Sequence, residues 1–434
     1  MRNLYTTFFL IFIGFSSQAQ ELLTLEDAVK IALENNYDIK IAKNNSKINE
    51  TNNSFANARM LPTINANFTN NNSQLDTKQT QADGSIRQLD NAKNMNLTYG
   101  VGLDWTIFDG FSMFARKEQL NVLEQQGKAE LQAAILTRIS DVYTTYFDLV
   151  QQQQVLASID TAIVISNQRL ATAKNRFTIG KASKLEVLNA QVDLNSDLSL
   201  QLRQKEIIKI SKIRLNELLV RDTQTDFAVA KDISFEQSLD FNTLQATAEK
   251  QNPQLQAQIL SKKVADLNLK QVKGNRYPTV RITSGYNFTR SEASLGFITQ
   301  SSGQGFVYGV TASMPIFNGF LQNRNEKVAR YQVENAGFVL EQQKLSLDSQ
   351  LASLYASYQT NLELVKVEEQ NLEIAKQNLD ITLAKFKIGT ITTVEFRTAQ
   401  QNFVEAAVRY SNAQYVTKLS EINLKELAGT LQLN

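Results

Sequence analysis

The sequence has no cysteine, no histidine and only 4 prolines in 434 residues. Lacking cysteine, the chain has no disulfide, no thiolate zinc site, no thiol nucleophile and no lipid attached at cysteine. Lacking histidine, it has no Ser-His triad, no imidazole-ligated metal and no imidazole general base. Only chemistry built on carboxylates, lysine or a Ser-Lys pair survives, so the chain reads as not an enzyme, with no cofactor and no metal. Average usage of proline is about 5%. Because proline breaks helix interiors, its scarcity here predicts long uninterrupted helices. An excess of one charge is also missing, with 45 Lys+Arg against 43 Asp+Glu. That balance argues against nucleic acid or a polybasic membrane surface as partner. What remains is ordinary: 42% hydrophobic and 20% charged residues, enough for a sizeable core and too balanced for wholesale disorder.

Residues 1–19 read MRNLYTTFFLIFIGFSSQA. Arg2 supplies a short positive region, residues 4–15 are mostly apolar, and Ser17 and Ala19 are the small residues of a cleavage site. This is the pattern of a secretory signal peptide removed after Ala19. An N-terminal anchor is the alternative, but the apolar stretch is short against the roughly 20 residues of a membrane span. Without Arg2 the chain keeps 44 basic and 43 acidic residues. No later stretch is apolar for long enough to cross a bilayer as a helix.

The rest is two copies of one unit. Arg176-Phe177-Thr178-Ile179-Gly180 recurs as Lys385-Phe386-Lys387-Ile388-Gly389, at an offset of 209. The same offset pairs Glu186 with Glu395, Ala190-Gln191 with Ala399-Gln400, and Tyr99-Gly100-Val101 with Tyr308-Gly309-Val310. It also pairs Ile107-Phe108-Asp109-Gly110-Phe111 with Ile316-Phe317-Asn318-Gly319-Phe320. Pro62-Thr63-Ile64 matches Pro278-Thr279-Val280 at an offset of 216, so the first copy holds seven extra residues, expected in a longer loop. A period this long marks duplication of a half-protein rather than a solenoid. The expected organisation is a signal peptide over 1–19 and a first repeat over 20–220, with strands at about 62–71 and 96–108. A linker over 221–242, in which no motif is found, precedes a second repeat over 243–434 with strands at about 278–289 and 305–317.

Each copy reads helix, two strands, very long helix, turn, helix. Thr24 is the expected N-cap of the first helix, interrupted at Asn35-Asn36 and continuing to about Met60. The long helices are expected from about Gly110 to Phe177 and from about Gly319 to Phe386, each on the order of 100 Å. Val142, Leu149, Leu156, Ile163, Leu170 and Phe177 are spaced seven apart, as are Leu351, Tyr358, Val365, Leu372, Leu379 and Phe386. A sustained seven-residue stripe predicts a left-handed coiled-coil seam, with an ordinary packed bundle as the alternative.

The strand segments alternate. Leu97, Tyr99, Val101, Leu103, Trp105 and Ile107 are interleaved with polar residues and glycine, and Phe306, Tyr308, Val310, Ala312, Met314 and Ile316 form the matching row. Pro62 opens a strand with Ile64, Ala66 and Phe68 on one face; Pro278 opens one with Val280, Ile282, Tyr286 and Phe288. Strands of about 10 residues, apolar outside and polar inside, mark a transmembrane barrel, the alternative being amphipathic hairpins on a soluble core. Tyr99, Val101, Leu103, Trp105, Tyr308 and Val310 are then the lipid-facing residues and Asp104 faces the lumen. The Asn- and Ser-rich stretches 70–95 and 291–304 suit outer loops. Four strands cannot close, and open edges are not viable in lipid, so the chain must oligomerise. A dimer would give 8 strands and a trimer 12.

This arrangement resembles the TolC family of outer-membrane efflux proteins over essentially the whole chain after residue 19. The resemblance is carried by the duplication, the Phe-x-Ile-Gly turns ending at Gly180 and Gly389, and the Thr-Leu-Glu-Asp-Ala-Val start at 24–29. It implies a homotrimer, mostly α, with one twelve-stranded β-barrel in the outer membrane of a Gram-negative bacterium, continued by a periplasmic α-helical barrel. It further implies a channel-tunnel for efflux or type I secretion, docked onto a periplasmic adaptor (membrane fusion protein) and an inner-membrane transporter. By the resemblance, the tips Ile179, Gly180, Lys181, Ile388, Gly389 and Thr390 contact the adaptor. Glu395 and Glu186, each six residues after a tip glycine, would form acidic rings at the periplasmic entrance. Thr398 stands where the family can carry a second acid, and Ile391 where it can carry a basic latch. A periplasmic coiled-coil scaffold and a barrel-anchored adhesin are the competing functions.

Overall fold

The computed structural model describes residues 22–236, 238–296 and 298–431. The expected signal peptide lies outside them. The chain order is β1 (Leu22–Leu23), α1 (Leu25–Asn35), α2 (Tyr37–Asn52), β2 (Thr63–Thr80), β3 (Ile86–Asp109), α3 (Ser112–Thr178) and α4 (Lys184–Leu218). It continues through β4 (Ala228–Val229), α5 (Phe241–Gln251), α6 (Pro253–Gly274), β5 (Thr279–Ala293), β6 (Gln300–Ser313), α7 (Leu321–Ile388) and α8 (Thr393–Ala428). Two compact units result: Met1–Ile41 with Ala134–Asn252 and Leu347–Asn434, and Ala42–Ala133 with Pro253–Ser346. Among the described residues no helix is long and apolar enough to cross a membrane.

The first unit is helical. Thr24 caps α1, its hydroxyl oxygen accepting the Asp27 N–H at 3.1 Å. The heptad stripe is buried along most of its length: Val142, Leu149, Leu351 and Tyr358 are at most 1% exposed, and Leu170, Val365 and Leu379 follow. Phe177 departs from this and is 43% exposed, while its repeat mate Phe386 is buried and stacks on Phe396 at 5.1 Å. Val187 occupies the Phe396 position in the first copy, so Phe177 has no ring to pack on there and instead lies under Lys184 Nζ. Tyr358 donates to the Glu236 carbonyl, and burial pushes its hydroxyl up to about 12, keeping it a donor at neutral pH.

Residues 221–242 carry more structure than the sequence revealed. β4 pairs in parallel with β1, and Phe227, Val229 and Ile233 sink into the core beside Leu149, Leu215 and Leu219. Tyr146 ties this ribbon, donating to the Leu23 carbonyl at 3.1 Å and accepting the Ala230 N–H at 3.2 Å. The break at Asn36 is also explained. Asn36 Nδ2 donates to the Leu218 carbonyl at 3.0 Å while its Oδ1 accepts the Asp38 N–H at 2.9 Å, capping α2. Asn252 repeats the first contact, donating to the Leu427 carbonyl at 2.9 Å.

The second unit holds a four-stranded antiparallel sheet of order β2-β3-β5-β6, with β2 and β6 at its open edges. Hairpins β2–β3 and β5–β6 meet along β3–β5, where Tyr99 faces Phe288 and Val101 faces Tyr286. The expected loop over 70–95 is mostly strand: β2 and β3 pair from Thr63↔Asp104 to Thr80↔Ile86, and only a short turn at Gly84 joins them. The β2–β3 ladder bonds occupy the facing backbone groups of these Asn- and Gln-rich segments, so pairing overrides weak β-propensity. The seven extra residues lengthen a hairpin, then, rather than a loop. β6 runs Gln300–Ser313 rather than over about 305–317: it ends early because Pro315 cannot donate to a ladder, and with β5 reaching Ala293 the two strands take up much of the expected loop over 291–304.

Helix boundaries shift as well, set by local turns. After Asn52 the chain turns rather than continuing as helix to Met60, with Asn57 Nδ2 donating back to the Asn52 carbonyl at 2.9 Å. The long helices begin at Ser112 and Leu321, past two consecutive left-handed residues in each copy. These are Gly110 (φ 69°) with Phe111 (φ 69°), and Gly319 (φ 65°) with Phe320 (φ 63°). Asp109 and Asn318 hold the following turns, accepting the N–H of Met113 at 2.9 Å and of Gln322 at 3.3 Å.

Candidate functional site

Three features could carry function: the two faces of the sheet, the two helix-hairpin turns, and a buried charged cluster behind the turns. Strand register decides the faces. Ile64, Ala66 and Phe68 on β2 pair with Leu103, Val101 and Tyr99 on β3. These pair in turn with Ser284, Tyr286 and Phe288 on β5, and Ile282 and Tyr286 pair with Val310 and Phe306 on β6. One face is thus apolar across all four strands, and most of its large side chains are exposed, among them Trp105 at 38% and Tyr308 at 80%. Leu103 lies on the same face, partly exposed. Tyr99 stacks on Phe288 at 4.9 Å, and Trp105 Nε1 donates to the Met60 carbonyl at 2.9 Å, so its polar group is satisfied. The opposite face carries Asn65, Asn67, Thr98, Asp104, Thr283 and Asn287, with glycines between them.

At each hairpin turn the long helix ends in a left-handed glycine, Gly180 at φ 75° and Gly389 at φ 81°. Gly180 N–H bonds the Phe177 carbonyl and Lys181 N–H the Arg176 carbonyl; Gly389 N–H bonds Phe386 and Thr390 N–H bonds Lys385. This is the Schellman pattern that satisfies the last helix carbonyls. Ile179 and Ile388 stand 65% and 76% exposed, and Leu185 and Val394 beside them are also exposed. The last two were not singled out from sequence, although an apolar residue in the first turn after a cap was there to be seen.

The two candidate ring glutamates have local partners. Glu395 closes a capping box: its carboxylate accepts the Thr392 N–H at 2.7 Å and hydroxyl at 3.0 Å, while its own N–H donates to Thr392 Oγ1 at 3.2 Å. Those bonds, the backbone one foremost, hold the Glu395 carboxyl below the ordinary glutamate range. Glu186 follows Ser183 at the same spacing, but its carboxylate pairs with Arg176 at 3.3 Å, and only the Ser183 hydroxyl cap is made. The Ser/Thr-x-x-Glu spacing was the legible signal for both.

Behind the turns lies a charged cluster that sequence reading missed. Arg397 on α8 grips the Asp197 carboxylate on α4 with Nη1 and Nη2, both at 2.9 Å. Asp197 also accepts Ser166 Oγ at 2.5 Å and Gln400 Nε2 at 3.3 Å. Arg169 on α3 bonds Asp193 on α4 at 2.5 Å. Asp197, Arg169, Ser166 and Gln400 are each at most 5% exposed. Three helices from different parts of the chain meet here, and no short-range spacing announces such a junction. Among the described residues no group of acidic side chains could hold a metal ion.

A profile described as outer membrane efflux protein matches residues 28–220 and 244–430, one stretch per repeat. The outer membrane protein TolC of Escherichia coli K12 is 22% identical over 396 residues, covering 83% of this chain and 80% of that protein. The outer membrane efflux protein BepC of Brucella suis is 18% identical over 429 residues, covering 96% and 87%. Among solved structures, the outer membrane protein VceC of Vibrio cholerae superposes with a TM-score of 0.77 at 16% identity, covering 93% of this chain and 96% of that one. With both repeats matched and the fold shared, the chain belongs to the outer membrane efflux protein family, transport proteins of the Gram-negative outer membrane with a large periplasmic part.

Proposed function

We propose that this protein is the outer-membrane conduit of a tripartite efflux or type I secretion system, acting as a homotrimer. The observation that carries this reading is the open four-stranded sheet with one continuous apolar face. Unpaired edge groups are costly in lipid, and three copies joined β6 to β2 make a closed barrel of twelve strands. In that barrel Tyr99, Val101, Leu103, Trp105, Tyr308 and Val310 meet lipid and Asp104 meets water. The helices form the periplasmic tube. The exposed aliphatic turns around Ile179, Gly180, Lys181, Ile388, Gly389 and Thr390 dock a periplasmic adaptor, which links the tube to an inner-membrane transporter. Glu395 and Glu186 ring the entrance, with Glu186 the weaker candidate because Arg176 neutralises it. Energy for export comes from the transporter, and the channel performs no chemistry.

The absence of native cysteine makes the test clean. Single cysteines placed along 63–69 and along 307–313 should form disulfides between chains, giving dimers and trimers on a non-reducing gel of outer-membrane fractions. Uniformly monomeric bands from every β2–β6 combination, with the protein in the membrane, would overturn the trimeric barrel.

A further inference from the structure

The polar face of the sheet ends in a pocket of about 380 Å³ at the strand-to-helix junction, lined by Arg59, Arg116, Arg281, Asp109, Thr106 and Ser112 among others. Three arginines line it, against two carboxylates, Asp109 in the lining and Asp104 beside Arg281. Both carboxylates are engaged. Asp109 accepts the Met113 N–H at 2.9 Å at the start of α3, and Asp104 lies 3.5 Å from Arg281 Nε. Arg116 is held in place through Nε, which donates to the Asn57 carbonyl at 2.6 Å. The rest of the polar face is neutral: over 63–73, 94–106, 281–293 and 301–313 its only charged side chains are Asp104 and Arg281. Over these spans, basic charge is therefore gathered at this one level.

Arg59 supplies an independent observation. Its backbone is left-handed, φ 62°, where glycine fits and an L-residue is strained. Its N–H bonds the Ala56 carbonyl at 2.9 Å and Met60 N–H bonds Phe55 at 3.0 Å, a helix-capping turn in which glycine is the relaxed choice. An arginine there keeps a guanidinium at the pocket at a conformational cost.

We infer that this pocket is an anion-binding site, taking phosphate or carboxylate groups of solutes that pass over the polar face. Guanidinium forks suit those groups through paired N–H donors. The inference rests on the conduit reading for the route by which the anion arrives, but not for the binding itself. In a trimer the three pockets would form a basic collar at the foot of the barrel, favouring anionic cargo.

The test uses the full protein purified in detergent, with pyrophosphate as probe, by calorimetry at low salt and by single-channel recording. Arg59→Gly is the decisive variant, because it relieves the left-handed strain. It should be as stable as wild type or more so, yet bind pyrophosphate about tenfold more weakly, the size expected for losing one charge-assisted contact. Arg281→Gln should also weaken binding. Asp104→Asn should strengthen it and shift reversal potentials toward anion preference. Equal pyrophosphate affinity in wild type, Arg59→Gly and Arg281→Gln would overturn the site while leaving the conduit intact. Binding lost in Arg59→Gly, from a wild type that conducts no ions, would support the site and sink the conduit.

Discussion

Arg397→Met removes the cation that holds Asp197, and the structure sets the size of the effect. Asp197 is 5% exposed and takes two 2.9 Å bonds from the guanidinium. After the substitution it keeps Ser166 Oγ and Gln400 Nε2 but no positive partner in contact. Stranding one member of a buried pair costs about 3–5 kcal/mol. The lower end applies here, because Arg397 is 15% exposed and water can reach the vacated space. Replacing Asp197 by Asn in the same chain removes the stranded charge but keeps an oxygen to accept both neutral donors. The double variant should therefore be more stable than Arg397→Met alone, with a coupling of about 0.5–3 kcal/mol. Urea unfolding of the purified protein, followed by far-ultraviolet circular dichroism, measures the cycle. If the double variant loses the sum of the two single losses, Asp197 and Arg397 do not stabilise one another and the cluster is not a coupled network. Wild-type stability in Arg397→Met would mean the same.

Other tests follow from local geometry. Gly389→Ala should cost about 1–2 kcal/mol from left-handed strain alone, since an added Cβ meets nothing within 4 Å. Gly429→Ala should cost more, because its Cβ would sit 2.6 Å from the Gln251 carbonyl; equal thermal shifts would refute that difference. Gly389→Val should leave membrane insertion near normal and abolish efflux, and a variant that still exports would remove the tip from the docking surface. Val101→Arg, on the apolar face, should impair assembly by about 2–4 kcal/mol. Gly102→Arg has room toward Asn67 and Ser284 and should instead reduce conductance, so equal assembly defects would mean the faces are misassigned. Glu395→Gln retains the capping-box geometry but loses charge, and should weaken cation preference at low salt, where screening is least; unchanged selectivity would place Glu395 away from the constriction. Its carboxyl is held below the ordinary value of 4.5, so the stabilisation present above that value is lost as pH falls through the lower, folded-state value. Glu395→Gln should flatten this acid limb of the stability curve, and an unaltered limb would assign it to other groups.

Much of the fold was legible because the chain repeats itself and because periodicity survives in sequence. Alternation from Leu97 to Ile107 placed Tyr99, Val101 and Trp105 on one face, and the seven-residue stripe picked out buried positions such as Leu149 and Leu351. Gly180 and Gly389 announced their turns by residue type. Contacts made across long sequence separations were not legible. Nothing near Arg397 points to Asp197, 200 positions earlier. Asn36 read as a break, whereas its role depends on a carbonyl at Leu218. Residues 70–95 misled for a different reason. Their composition suits loops, and only the facing strand, which composition does not reveal, makes them extended.

The sheet's two open edges bear on how this protein reaches its final state. Thr63–Thr80 and Gln300–Ser313 present rows of unsatisfied N–H and C=O groups that one chain cannot fill. Such rows are templates for mispairing, and in water the apolar face beside them compounds the hazard. The edges are rich in Asn, Gln, Ser and Gly, poor or indifferent strand formers that weaken adventitious pairing. Slow recognition of a wrong partner also means slow recognition of the right one. Where sister chains complete the edges, sheet completion is a multimolecular event, so its rate should climb steeply with the concentration of waiting subunits, and dilution should lengthen the exposed interval during which a holding chaperone would matter most.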